Sequence, residues 1–372
     1  QFALSALLFL STVIVYRQMN YLHQKDLGFN KDQIVYFNAQ GKVAENPQVF
    51  KEELKRSTGI VSVTAGYGLP GDALATDGVK LPGPQGEKHH STVLLIADED
   101  YIKTMGAQLV AGRDFSKSFA TDVEEAFIIN ETAVKELGFG TPQAAIGKKM
   151  SWDKWGDTLN PVKRGQVIGV VKDFHVKSLH EKINSTVMIM YPPIVSKVAV
   201  KVKAADLPAT LDYIKSTWNK FSPDYPLDYK FLDENFAAMY SSEDKLSALL
   251  WIFTIMAIFV GCMGLFGLAA FSAEQRVKEI GIRKVLGASV MNIVSMLSIT
   301  FLKPVLIASL IAFPIAWWAM NSWLQDFEYR VTISWWVFAL AGIAALLIAL
   351  VTVSFQSIKA ATVNPVKNLR TE

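Results

Sequence analysis

LSALLWIFTIMAIFVGCMGLFGLAAFS, residues 246–272, runs without a single charged side chain. A helix needs about 20 apolar residues to cross the hydrocarbon of a bilayer, so this stretch is long enough to span one, and that decides the class of the protein. Directly after it comes EQRVKEIGIRKVLGA, residues 274–288, which is dense in both acids and bases. The rest of the chain must show how many spans accompany this one and on which side of the membrane the charged segment lies.

Three further apolar stretches read as spans. QFALSALLFLSTVIVY opens the chain, with no methionine, no basic segment before it and no small-residue cleavage site after it. This is the pattern of a transmembrane helix, over about 1–20, whose start lies upstream, and not of a signal peptide. We therefore read the chain as the latter part of a longer polypeptide. The other two spans are 301–323, which carries Lys303 and Pro304 near its start and Pro314 within it, and 331–355, which is free of charge. Snorkelling of Lys303 and a kink at Pro314 account for these residues without an ion pathway.

Composition agrees with this count. Of 372 residues, 51% are hydrophobic and only 19% charged, against about a quarter charged in soluble domains. The formal net charge of +3 gives no reason to expect nucleic acid as a partner. One cysteine, Cys262, excludes an internal disulfide and makes a Cys-ligated metal or redox role a poor expectation.

Basic residues set the orientation. Residues 274–288 carry Arg276, Lys278, Arg283 and Lys284 against Glu274 and Glu279, and the tail over 357–372 carries Lys359, Lys367 and Arg370 against Glu372. The turn before the last span holds only Arg330 against Asp326 and Glu328. The positive-inside rule then places 274–288 and the C-terminus in the cytoplasm and residues 21–245 outside. Trp251, Trp317, Trp318, Trp323, Trp335 and Trp336 would all cluster at the outer interface as an aromatic belt. Arg17, Lys25 and Lys31 oppose this assignment, but long domains translocate largely regardless of such flanks.

The outer region reads as mixed α/β. QIVYFN, PQVFKEELKRS with Phe50 and Leu54 on one face, and IVSVTAG form a βαβ unit over about 33–67. KVAVKV, LPATLDYIKSTWNKF and PLDYKFL form a second over about 196–233. Two such units at the ends of one domain suggest a split sheet, leaving about 68–190 as an insertion rich in turns such as LPGD and LPGPQGE.

Catalytic motifs are poorly represented. GTPQAAIGKK at 140–149 lacks the spacing and the hydroxyl of a phosphate-binding loop. His175 and His180, with Asp173 and Glu181, could compose a zinc site, but their spacing after a strand does not stack them on one face. His89 and His90 sit in a turn-rich run and are expected to be solvated. No serine stands in a nucleophile elbow. The expectation is no catalytic, cofactor or metal site.

The charged segment is more informative. On a helix Arg276, Glu279 and Arg283 share a face, so Glu279 can pair with either arginine. Val277, Ile280 and Gly281 form a neighbouring patch that needs a partner surface. Gly281 and Gly287 each weaken a helix by about 1 kcal/mol unless something benefits from close backbone approach. A short helix joined to two spans is a lever, although an ordinary solvated loop would also satisfy the charge rule.

EQRVKEIGIRKVLGAS resembles the cytoplasmic motif of the FtsX and MacB permease family of bacterial ABC transporters, and AATVNPVKNLRTE resembles that family's C-terminus. LVAGRDFS (109–116), AFIINETAVKELGF (126–139), AAIGKKM (144–150) and GQVIGVVKDFH (165–175) resemble the MacB-like periplasmic core. The resemblance implies an α-helical membrane protein of four spans in the bacterial inner membrane, with a mixed α/β periplasmic domain inserted between spans 1 and 2. The bounds expected are 21–245 for that domain and 246–372 for the FtsX-like transmembrane portion, with a cytoplasmic coupling segment over 273–292. By position, Arg276, Glu279, Ile280, Gly281, Arg283, Lys284, Gly287 and Ala288 would inherit contact with a cytoplasmic ABC ATPase subunit.

The partners implied are that ATPase, membrane lipid, a second permease unit (a tandem half or a second copy) and a periplasmic adaptor, with no cofactor. The function implied is mechanotransmission: ATP-driven motion passes to the outer domain for export, including that of macrolides or antimicrobial peptides. Two alternatives stand beside it. One is a membrane-anchored scaffold or regulator of cell-wall hydrolases or lipoprotein release that moves no solute. The other is a tethered hydrolase using His175 and His180.

Overall fold

A computed structural model describes residues 1–362 except Ala73, Ala75 and Gln85. The tail from Val363, with Lys367, Arg370 and Glu372, lies outside the described residues. The chain divides into two compact units, one of Gln1–Gln24 with Ser241–Glu372 and one of Lys25–Tyr240.

Among the described residues of the first unit four helices are long and apolar enough to cross a membrane. They are Phe2–Gln24, Ser241–Gln275, Val290–Leu324 and Trp335–Thr362. Leu265 and Ala269 of the second, Val305 of the third, and Ala349 and Val353 of the fourth form a common core. The third helix begins well before the expected Phe301. Ser289 caps it, its hydroxyl accepting from the Asn292 N–H at 3.2 Å, and the next turns bury Ile293, Val294 and Leu297 at helical spacing. A hydropathy window misses such turns because their other side is polar or exposed. The helix continues through Pro304 and Pro314.

The second unit contains strands β1 (Ile34–Asn38), β2 (Ile60–Gly66), β3 (Thr76–Gly83), β4 (Gly86–Ile96), β5 (Leu109–Gly112), β6 (Ala126–Asn130), β7 (Lys149–Asp153), β8 (Val162–Val171), β9 (Thr186–Ile189), β10 (Lys197–Val202) and β11 (Tyr229–Phe231). They build two sheets. The first has the order β11-β1-β10-β2, with every neighbouring pair antiparallel. Strands β1 and β2 are therefore parallel with β10 between them, and β10 and β11 are parallel with β1 between them. Each βαβ unit is split by a strand of the other, the interleaved arrangement of a ferredoxin-like layer. Helices Pro47–Leu54 and Leu207–Phe221 cover it. Its core is aromatic, with the Phe37 and Trp218 rings 5.4 Å apart at 80° and Phe50 edge-on to both.

The segment expected as a turn-rich insertion carries the second sheet, of seven strands in the order β5-β8-β6-β9-β4-β3-β7. Strand β7 pairs with β3 and also with the first half of β8, so the sheet closes on itself, and β5 takes the second half of β8. Alternate residues point inward: Leu94 and Ile96 from β4, Phe127 and Ile129 from β6, and Val187 and Ile189 from β9 join Trp152 in one core. His89 and His90 lie on β4, not in a turn, opposite Lys80 and Val79 of β3.

Candidate coupling site

The second-span helix ends at Gln275, and a short helix, Val277–Val285, follows before Ser289 caps the third. The break at Arg276 is slight. Its N–H reaches the carbonyls of Ser272 and Ala273, both at 3.2 Å, and its own carbonyl accepts from Ile280 N–H at 2.9 Å. At the other end Ala288 N–H donates to Arg283 O at 2.9 Å and Gly287 N–H to Lys284 O at 3.1 Å, the paired bonds of a Schellman cap. That cap requires a left-handed residue, and Gly287 supplies it with φ +92°. The segment is thus a separate helix held at both ends by hydrogen-bonded corners, and is not continuous with either span.

The eight residues expected at the contact fall into three groups. Ile280 and Gly281 are buried, Arg276, Glu279, Lys284 and Ala288 are half-buried, and Arg283 and Gly287 are exposed. Glu279 pairs with Arg283 at 2.7 Å across one turn, which settles the choice left open between the two arginines.

The expected apolar patch is corrected by the structure. Ile280 does not wait for a partner, because it packs on Ile293, Met296 and Leu297 at the start of the third-span helix. The apolar side chains left outside are Ile282, Val285 at 69% exposure and Leu286 at 80%. Their spacing of three and four puts them on one face, and that spacing was present in the sequence. What the sequence lacked was the direction of Ile280, which fixes the other face as outer. Among the described residues a Cβ built on Gly281 would meet nothing within 4 Å, so none of them requires the glycine.

The histidine constellation does not converge. His175 is 5% exposed, and burial, with Lys25 adding to it, pulls its imidazole down to about 4. Both oxygens of Asp173 are taken by Thr132, through its N–H and its hydroxyl at 2.8 Å each. Glu181 pairs with Lys177 at 3.1 Å, and the His180 ring bonds to Ser178 and stacks on Tyr240.

Among the described residues the carboxylates that do converge are Asp98, Glu99 and Asp100. The space between them holds the ammonium of Lys51, 1% exposed, which pairs with Asp98, with Glu99 at 3.2 Å and with Asp100 at 2.9 Å. Burial works against that charge, but the three carboxylates outweigh it and hold the lysine above its ordinary range. Sequence reading missed this group because nothing local marks Lys51 as buried. The cluster ties the helix of the ferredoxin-like layer to the end of β4.

Comparison with known proteins bears on the membrane unit. Residues 251–365 match the family model described as the FtsX-like permease C-terminal domain. No curated protein matches the chain. Among solved structures, the periplasmic region of MacB from Actinobacillus actinomycetemcomitans is similar at 15% identity, covering 58% of this chain and 97% of that one with a TM-score of 0.40. The extracellular domain of the noncanonic ABC-type transporter YknZ from Gram-positive bacteria is similar at 17% identity, covering 53% and 97% with a TM-score of 0.36. The four apolar helices, the family match and the distribution of basic residues make this a multi-pass membrane protein with its large domain on the extracytoplasmic side. Residues 251–365, which include the Val277–Val285 helix, are thus similar to the C-terminal domain of FtsX-like permeases.

Proposed function

We propose that the chain is the permease subunit of an ABC transporter and that Val277–Val285 is the helix its ATPase grips. The observation that carries this reading is the outward apolar face of Ile282, Val285 and Leu286 on a helix flanked by charge and pinned at both ends. An exposed apolar cluster beside an ion pair is the composition of a protein contact. Arg276, Glu279, Arg283 and Lys284 give the contact its register, while Ile280, Gly287 and Ala288 hold the helix in place.

Nucleotide-driven motion of the ATPase would displace this helix, and the spans on either side would carry the displacement to the outer domain, whose movement drives export. A second permease unit completes the complex, and an outer adaptor would meet the 25–240 unit. This chain contributes no hydrolytic chemistry of its own.

The test is co-purification of the full chain with its cognate ATPase from membranes. Leu286→Glu, at a side chain 80% exposed among the described residues, is expected to abolish ATPase capture while leaving yield and thermal unfolding unchanged. Undiminished capture by Leu286→Glu and by Val285→Glu together would remove the helix from the contact.

A further inference from the structure

Gln18 lies within the first span helix and is fully buried, at 0% exposure. A primary amide at that depth is costly unless both its donor and its acceptor are used. Here they are used by a segment more than 300 residues away. The Gln18 Nε2 donates to Tyr329 O at 2.9 Å, and its Oε1 accepts from Val331 N–H at 2.9 Å. Tyr329 and Val331 flank Arg330 in the irregular connection between the third and fourth spans. One helix residue thus satisfies two backbone groups of a connection that has no regular structure to satisfy them. Beside it, the Arg17 guanidinium stands 4.8 Å over the Trp336 ring at the start of the fourth helix.

The rest of the first span is tied elsewhere. Ser5 donates its hydroxyl to Ala257 O at 3.0 Å, and the Thr12 and Thr254 hydroxyls are 2.7 Å apart, both contacts reaching the second-span helix. The first helix packs along both the second and the third, which themselves meet only sparsely. The two helices on either side of the coupling segment are therefore joined through the first and the fourth rather than directly to each other. If packing alone mattered at position 18, a leucine or methionine would serve without the desolvation cost of an amide. The amide instead specifies one register between the first span and the third-to-fourth connection.

We propose that Gln18 is a positioning residue that locks the third and fourth spans to the first. Displacement of the coupling helix then moves the four spans as one body and reaches both stems of the outer domain, the one ending at Gln24 and the one beginning at Ser241. This rests on the permease reading above. A contiguous chain of contacts supports it: Ile280 on Ile293 and Leu297, the third helix to Leu324, the connection to Tyr329 and Val331, and Gln18 to Gln24.

The experiment uses the full chain with its co-purified ATPase in nanodiscs. Cys262→Ser removes the native thiol, and spin labels are placed at the exposed Gln24 and Gln325 as Gln24→Cys and Gln325→Cys. Distances are measured by pulsed electron resonance with ADP and with ATP plus vanadate. The parent is expected to give one narrow distribution that does not change with nucleotide. Gln18→Leu is expected to broaden it and make it nucleotide-dependent. Gln18→Glu, which keeps only the acceptor for Val331 N–H when ionised, should fall between them. Thr12→Val, which cuts a first-span bond outside the clamp, should behave as the parent.

A distance in Gln18→Leu that matches the parent in both nucleotide states overturns the clamp and leaves the permease reading standing. A parent preparation from which no ATPase can be co-purified overturns the permease reading and the clamp with it.

Discussion

Arg283 reaches back one helical turn to Glu279, its guanidinium 2.7 Å from the carboxylate, while Ile280 between them is turned inward onto Ile293 and Leu297. This alternation separates what the coupling helix needs to stay folded from what it presents. An exposed pair of this kind contributes about 0.3–0.5 kcal/mol. Glu279→Arg is therefore expected to leave thermal unfolding within about 0.5 kcal/mol of the parent. It also sets a third like charge between Arg276 and Arg283, and should uncouple ATP hydrolysis from transport in reconstituted liposomes. Full transport by the variant would end the assignment of Glu279 to the contact.

The two glycines of the coupling segment should respond in opposite senses. Gly287→Ala forces a side chain onto φ +92° and is expected to cost about 1 kcal/mol or more. Gly281→Ala has open space for its Cβ and should stabilise the helix by up to about 1 kcal/mol. If a partner backbone lies against Gly281, the same variant weakens ATPase capture. Unfolding curves paired with capture assays on both variants separate the two roles.

Lys51→Ala leaves Asp98, Glu99 and Asp100 facing one another without the buried ammonium that holds them. Removing one partner of a buried ionic group costs about 3–5 kcal/mol. Unfolding of the outer unit, followed by tryptophan fluorescence in guanidinium, should shift by that amount. Lys51→Met should recover part of the loss through packing alone. A shift below 1 kcal/mol, the range of an exposed pair, would show that solvent reaches the cluster.

His175 supplies a pH test. Its folded pKa is about 4, pulled down first by burial, against about 6.5 in an unfolded chain. Between those values the unfolded state binds a proton that the folded state does not, so stability is intact above about pH 6.5 and falls as pH drops toward 4. The difference corresponds to at most about 3 kcal/mol. His175→Phe should flatten the stability profile over that window relative to the parent. Parallel profiles for the two proteins would mean that the ring is hydrated.

The order and chemistry of the elements were legible without coordinates wherever a short-range pattern carries them. Apolar length with little or no charge marked the spans, because an unpaired backbone group or an unpaired charge is costly in lipid over that distance. Period-two and helical spacing marked QIVYFN, KVAVKV and LPATLDYIKSTWNKF, and basic loops marked the sides. Three things were decided only when the chain folded. The run with turn signals at LPGD and LPGPQGE became a closed sheet, since closure depends on β7, the chain neighbour of β8, also meeting β3 far upstream in the sequence. Ile280 and Ile282 are the same kind of residue two positions apart, and only packing against the third-span helix made one core and the other surface. Gln18 and Lys51 look like ordinary polar residues, and their partners lie beyond any local window. Local periodicity reports which side of an element is apolar. Which partner meets that side, and which polar group is drawn inside to meet it, depends on long-range contacts that exist only in the tertiary fold.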